Sequence, residues 1–176
     1  ITEAQWQNAV EGYLNTQRFN IIVEPQYYDI AANVYDRLKS QIEGVTLVNT
    51  QALNLKVETQ ENTLASVVSS KNRYARAYAN YLMGRVVLCN DVVELKQHPI
   101  AITAGCMLYQ GKGLRKIPED IYRIPYIGKY ALRRQLEIVQ SDFKQTKEKC
   151  DAIETSVKEI NTALEYIAEC NFGLVE

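Results

Sequence analysis

Residues 132–167 read LRRQLEIVQSDFKQTKEKCDAIETSVKEINTALEYI. Within them Leu132, Leu136, Val139, Phe143, Thr146, Cys150, Ile153, Val157, Ile160, Leu164 and Ile167 recur in unbroken four-three alternation. A mean repeat of 3.5 residues keeps one stripe of a helix facing a partner, the seam of a left-handed coiled coil. Thr146 is the polar exception, and its methyl still packs. No Pro or Gly interrupts the stretch, and Glu, Lys and Gln fill the flanking positions, as a solvated helix requires. At 1.5 Å per residue the stripe runs roughly 54 Å. The spacing predicts a helical arm over 128–176 that pairs with another helix. The plainer alternative is one long helix packed on its own domain.

Working back from the arm, residues 1–16 repeat the spacing with Trp6, Val10 and Tyr13. They are expected to form the second, shorter strand of an antiparallel coiled coil. The distal arm beyond Cys150 would then find its partner in sequence before Ile1, which suggests an excised fragment or a processed chain.

Between the helices, 17–127 read as an α/β body of two halves, about 20–62 and 72–117. In the first, the apolar run Ile21–Val23, a helix with Tyr27, Ala31, Val34 and Leu38 on one face, and the run Val45–Val48 make a strand–helix–strand unit, for which parallel pairing is expected. Leu53, Leu55 and Val57 alternate as a short edge strand would. A short helix is expected over Thr63–Ser70, and a stronger one over Asn72–Met83, with Tyr74, Tyr78, Tyr81 and Leu82 on one face and Gly84 closing it. In the second half, Arg85–Cys89 and Ile100–Thr103 read as strands around a helix at Val92–Gln97. Met107–Gln110 and Leu114–Ile117 flank Gly111-Lys112-Gly113 as a hairpin.

Composition sets limits. The 176 residues are 47% hydrophobic and 23% charged, with a formal charge of −1, ordinary for a globular chain. No run of eighteen apolar residues would span a membrane, and no signal peptide opens the chain. Cys89, Cys106, Cys150 and Cys170 form no C-x-x-C pair, and the lone His98 precedes Pro99, so neither a metal site nor catalysis is expected. Cys150 on the seam reads as a small buried thiol. With no N-x-[S/T] acceptor, these features favour a reducing, cytoplasmic setting. Gly111-Lys112-Gly113 is too short for a P-loop and lacks its Ser or Thr. No cofactor is expected, and no catalytic residue stands out.

Charge is uneven. Lys112, Arg115, Lys116, Arg123, Lys129, Arg133 and Arg134 face only Glu119 and Asp120 between 112 and 134, and Lys71, Arg73, Arg76 and Arg85 form a second basic group with no acid among them. Lys112, Arg115, Lys116, Lys129, Arg133 and Arg134 are the candidate contacts to a phosphate backbone, read without sequence specificity and sensitive to salt. A solvated face with internal ion pairs is the competing reading.

A two-half α/β body between antiparallel helical arms resembles the hinge domain of SMC proteins. The order Tyr81–Val87, Asp91–Leu95, Ala101–Thr103, Met107–Tyr109 and Gly111/Gly113 is similar to that of the second hinge subdomain. Asn72–Tyr78 (NRYARAY) and Tyr126-Ile127-Gly128 most resemble the SMC-like subunit of Wadjet-type plasmid-defence systems, akin to MukB-like condensins. The resemblance implies a two-subdomain hinge that homodimerises opposite its arms through Met107, Leu108, Tyr109, Gly111, Gly113 and Leu114 and the edge of the first half. It also implies a parent chain with ATPase heads outside this segment, acting with other SMC-complex subunits on DNA. Typical hinges carry a glycine-pair motif here, of which only Gly111 and Gly113 stand, around Lys112. An α/β small-ligand sensor with a helical signalling tail is the alternative.

Overall fold

A computed structural model describes residues 1–172, in two compact units that divide after Leu132. The first is a mixed helix–sheet body. Strand β1 (Val87–Cys89) pairs in parallel with β2 (Ile100–Thr103), β2 antiparallel with β3 (Met107–Gln110), and β3 antiparallel with β4 (Gly113–Lys116), giving the order β1-β2-β3-β4. Ala101, Ile102 and Thr103 are all buried, which is why β2 reads as an unbroken apolar run and not an alternating one. Only Glu94–Gln97 of the expected crossover helix forms, as a 3₁₀ turn. His98-Pro99 stops it, since the residue before proline is pushed to extended backbone.

The core lies between one sheet face and the N-terminal segment. After a 3₁₀ turn at Ala4–Trp6, helix α1 (Gln7–Leu14) buries Ala9, Val10 and Leu14, and these join Trp6, Leu64, Val67, Met83, Val86, Ile102 and Leu108 in one cluster. Residues 1–16 are therefore not a projecting rod. Four-three spacing is common to a seam and a core helix, and here the small residues Ala9 and Gly12 widen the apolar face and bring the helix close to its neighbours. A Cβ on Gly12 would meet Ile117 Cγ2 at 3.1 Å and Tyr122 Cδ1 at 3.2 Å. Overpacking costs about 1–3 kcal/mol, against a gain of about 0.5–1 kcal/mol for alanine over glycine inside a helix, so Gly12→Ala is expected to lower stability on balance. Urea unfolding checks it, and a raised midpoint would refute this close approach.

Glu11 is fully buried on α1. Its carboxylate accepts from the Tyr126 and Ile127 amides (2.7 and 2.6 Å), from Gln7 Nε2 (3.0 Å) and from Arg18 Nη1 (3.2 Å). Arg18 also donates to Ile121 O at 2.7 Å, and its guanidinium stacks on Phe19 and Tyr126, 5.0 and 4.8 Å from their centroids. This network fastens the irregular segment that follows the short helix α2 of the C-terminal half (Glu119–Tyr122).

The first half is thinner than expected. A helix labelled α3 here (Tyr28–Leu38) forms, opened by Pro25, and Ile21 bridges Leu47 in parallel through Ile21 N–Thr46 O and Val48 N–Ile21 O bonds of 2.9 Å. The ladder ends at that single bridge, and no residue of α3 is buried. The alternation Leu53, Leu55, Val57 makes no strand: the Asn49 and Asn54 side chains accept from Gln51 N and Lys56 N, turns that compete with extended pairing. Nor do 63–70 form a helix. Their backbone instead flanks β1, through Leu64 N–Val86 O (2.8 Å) and Leu88 N–Asn62 O (3.0 Å).

Helix α4 (Arg73–Met83) matches its expected span. The Asn72 side chain caps it by accepting from Tyr74 N and Ala75 N, satisfying two amides the first turn leaves open. Gly84 ends it with right-handed backbone; the reason for glycine is space, since a Cβ would lie 2.5 Å from Asn80 O. Tyr74 is buried, but Tyr81 is 75% exposed, so the tyrosines do not share one packed face. Arg76 is structural: it donates to Ala65 O at 3.0 Å, and to Val68 O and Thr59 Oγ1.

The second unit is helix α5 (Ala131–Phe172) from Arg133 on. Its seam residues are exposed, from 48% at Val157 to 70% at Phe143, and Cys150 is exposed, not buried, because the stripe is uncovered. Among the described residues no helix is long and apolar enough to cross a membrane.

Candidate functional site

The hairpin β3–β4 supplies an open sheet edge. Gly111 and Lys112 have φ of +59° and +65°, the pair of positive angles that a two-residue turn matched to strand twist requires. Gln110 opposite Gly113 then starts a ladder in which alternate pairs exchange hydrogen bonds. Leu108–Arg115 is the next bonded pair, and Ile117 N donates to Cys106 O at 2.9 Å beyond it. By that alternation Leu114 and Lys116 turn their N–H and C=O groups outward, along a strand exposed throughout. Unpaired edge groups of this kind template another strand.

Side chains divide by face. Leu108 is 1% exposed and belongs to the main core, so of the expected interface residues it alone is closed to a partner. Met107 and Tyr109 lie on the opposite face against Cys89, Leu95 and Ala101. Leu114, directly across from Tyr109, is half exposed, and Gly111 and Gly113 form the exposed tip.

The candidate cations are placed as follows. Lys112 sits at the turn, and Arg115 and Lys116 on β4, all exposed. Lys129 places its ammonium 5.6 Å from the Tyr130 ring centroid. Arg133 and Arg134 belong to the second unit, where Arg133 pairs with Glu137 at 3.0 Å. Arg76, through its carbonyl bonds, leaves the second basic group to Lys71, Arg73 and Arg85. Arg73 itself stacks on Tyr74 and donates to its hydroxyl at 2.6 Å.

Burial pushes the Cys89 and Cys106 thiols up, Glu94 adding to the effect at Cys89. Both therefore stay protonated, as inert core thiols do.

Two features escaped sequence reading. One is the apolar surface of the first half, where Ile21, Tyr27, Ile30, Leu55 and Val57 are exposed; an alternating or helical pattern marks such residues as packed and cannot say that the packing partner is missing. The other is a cleft between 12–17 and 108–121, which only long-range folding brings together.

No protein-family model and no curated protein matches the chain. Among solved structures it is similar to an asymmetric dimer of the Geobacillus stearothermophilus SMC hinge domain, with 15% identity, a TM-score of 0.53, and 84% of this chain covered. It spans 65% of that chain. A structure described as the folded elbow of cohesin covers 96% of this chain but only 25% of its own, at 17% identity and a TM-score of 0.48, too slight a likeness to bear on the fold. At these identities the likeness is one of architecture: the mixed four-stranded sheet with its packed helices is an SMC-hinge type of fold.

Proposed function

We propose that this chain is the hinge module of an SMC-like DNA-handling ATPase, pairing with a second copy of itself and joining coiled-coil arms. The observation that carries the reading is the outward-facing backbone of β4 at Leu114 and Lys116. Beside it stand a half-exposed Leu114 and a first half whose apolar residues and single parallel bridge lack covering strands. The solved hinge of similar fold is itself a dimer, which agrees. The ATPase heads and the other subunits belong to the parent complex outside this segment, and no reaction is assigned to the segment itself. Asn72–Tyr78 and Tyr126–Gly128 favour a Wadjet-type, plasmid-defence member acting in the cytoplasm. Lys112, Arg115 and Lys116, with Lys129, Arg133 and Arg134 as further contacts, make the DNA part of the reading, non-specific and weakened by salt because released counterions drive it.

Pairing through β4 makes a local prediction. In the full chain, the Leu114 and Lys116 amides gain protection from hydrogen exchange as concentration rises through tens of micromolar, and sedimentation shows a dimer. Leu114→Pro removes an outward donor that the ladder to β3 does not use, so it is compatible with an edge strand. It is expected to abolish the protection of the Lys116 amide and leave the melting temperature of the dilute chain nearly unchanged. Amides that exchange equally fast at every concentration would sink the hinge pairing.

A further inference from the structure

The cleft between the N-terminal segment and the hairpin has a volume of about 340 Å³. That is within the range of small-ligand sites. Its floor is apolar, from Leu82, Leu108 and Ile117, and its polar lining comes from Tyr13, Asn15, Gln17, Gln110, Arg115 and Lys116. Not one lining residue is acidic. Among the described residues none of those six side chains has a hydrogen bond within the protein. Donors therefore line the cleft with no carboxylate among them: a guanidinium, an ammonium, three side-chain amides and a phenol. Arg115 lies opposite Leu108 and so shares the face turned toward α1. Lys116, opposite Met107, starts from the other face by the same alternation and borders the cleft only at the end of the strand, where it runs out into Ile117-Pro118.

Asn15 adds a second, independent observation. Its φ of +46° with ψ of −125° is backbone that glycine adopts at least cost, and a side chain there strains the chain. The amide on that strained residue lines the cleft. Tyr13 is held in its donor form, burial raising its pKa against the opposing influence of Arg115.

We propose that this cleft binds a phosphate group, carried either on a nucleic-acid backbone or on a free phosphate compound. Guanidinium and ammonium supply charge-assisted bonds, which are the strong ones, and the amides and phenol complete the shell. The inference deepens the DNA part of the function above by giving it one defined pocket, and it does not depend on hinge pairing.

Isothermal titration of the full chain with inorganic pyrophosphate tests it. A single site is expected, weakened at least about tenfold by Arg115→Gln or Lys116→Gln. Asn15→Gly separates binding from folding: relief of strain holds or raises the melting temperature, while loss of the amide weakens pyrophosphate several-fold. Lys96→Gln, an exposed charge on the 3₁₀ turn far along the chain from the cleft, leaves binding unchanged. Competition by a short single-stranded oligonucleotide assigns the phosphate to a nucleic-acid backbone; pyrophosphate binding without such competition assigns it to a free compound. No heat at millimolar pyrophosphate, full binding by both Arg115→Gln and Lys116→Gln, or equal loss in Lys96→Gln would overturn the proposal. Oligonucleotide retention alongside any of those results would preserve a diffuse DNA-binding surface and remove only the pocket.

Discussion

Glu11→Ala is expected to destabilise the first unit by about 3–5 kcal/mol, the cost of removing one partner from a buried ion pair. The carboxylate is fully buried and answers four donors: two amides of the segment before α5, the Gln7 amide and the Arg18 guanidinium. Its loss strands Arg18 between Phe19 and Tyr126, with a side chain only 9% exposed and an Nε that already lacks a partner. It also leaves the Tyr126 and Ile127 amides unbonded, each at roughly 1–3 kcal/mol if they stay dry. Part of that cost is relieved if the 123–128 segment pulls away to water. A domain holds about 5–15 kcal/mol in total, so one side chain accounts for a large share. Glu11→Gln keeps the oxygen that accepts from the two amides but puts an NH2 donor where the other oxygen accepts from Arg18, so it should cost less than Glu11→Ala while still losing the ion pair. Arg18→Ala combined with Glu11→Ala should cost less than the two separate losses together, because the second change removes a charge the first had stranded. Urea unfolding of the four variants beside the unaltered chain checks this ordering. Strict additivity, or a loss under about 1 kcal/mol for Glu11→Ala, would mean that the network does not hold the segment.

That example shows where the sequence was readable and where it was not. Elements fixed by neighbours in the chain were legible. Asn72 and Gly84 bound α4 by a cap and by crowding, and Gly111-Lys112 sets a two-residue turn whose strands and pairing follow at once. Features fixed by distant residues were not. Glu11 reads as a surface acid because its four donors come from 7, 18, 126 and 127. Trp6 and Val10 carry the same four-three signal whether the helix projects or is buried. Ile21–Val23 and Val45–Val48 have strand composition, but ladder length depends on how many edges meet, and there one bridge forms. The candidate site divides in the same way. The hairpin turn and the charges of β4 are local features that spacing shows, whereas the resemblance that puts Leu108 in an interface cannot say that its side chain lies in the core. The cleft needs 12–17 to meet 108–121, which no local pattern contains.

Ile153→Glu together with Ile160→Glu is expected to weaken association of α5 with a partner helix by at least about a thousandfold. Burying each isoleucine is worth about 1.5–3 kcal/mol, so losing the two of one helix removes roughly 4 kcal/mol, close to three decades in affinity, and in self-association the second copy loses its two as well. The seam carries these residues 63% and 59% exposed, in a 42-residue helix without proline or glycine. A stripe this regular on an uncovered helix has one economical use, which is to meet another stripe. The substitutions isolate that use. Glutamate is as good a helix former as most residues, so intrinsic helicity is kept while the two seam layers on either side of Val157 become charged. The measurement belongs in the Leu114→Pro chain, where the β4 edge no longer pairs and any remaining self-association reports on α5. In that background the unaltered seam should still give concentration-dependent mass and helical ellipticity, the double variant should sediment as a monomer, and Asn161→Glu, one residue off the stripe, should behave as the unaltered chain does. If Asn161→Glu dissociates the helix as fully as the pair does, charge and not the seam is responsible. If the double variant associates unchanged, the four-three stripe is not a coiled-coil surface, and the arm would have to be explained as a single helix.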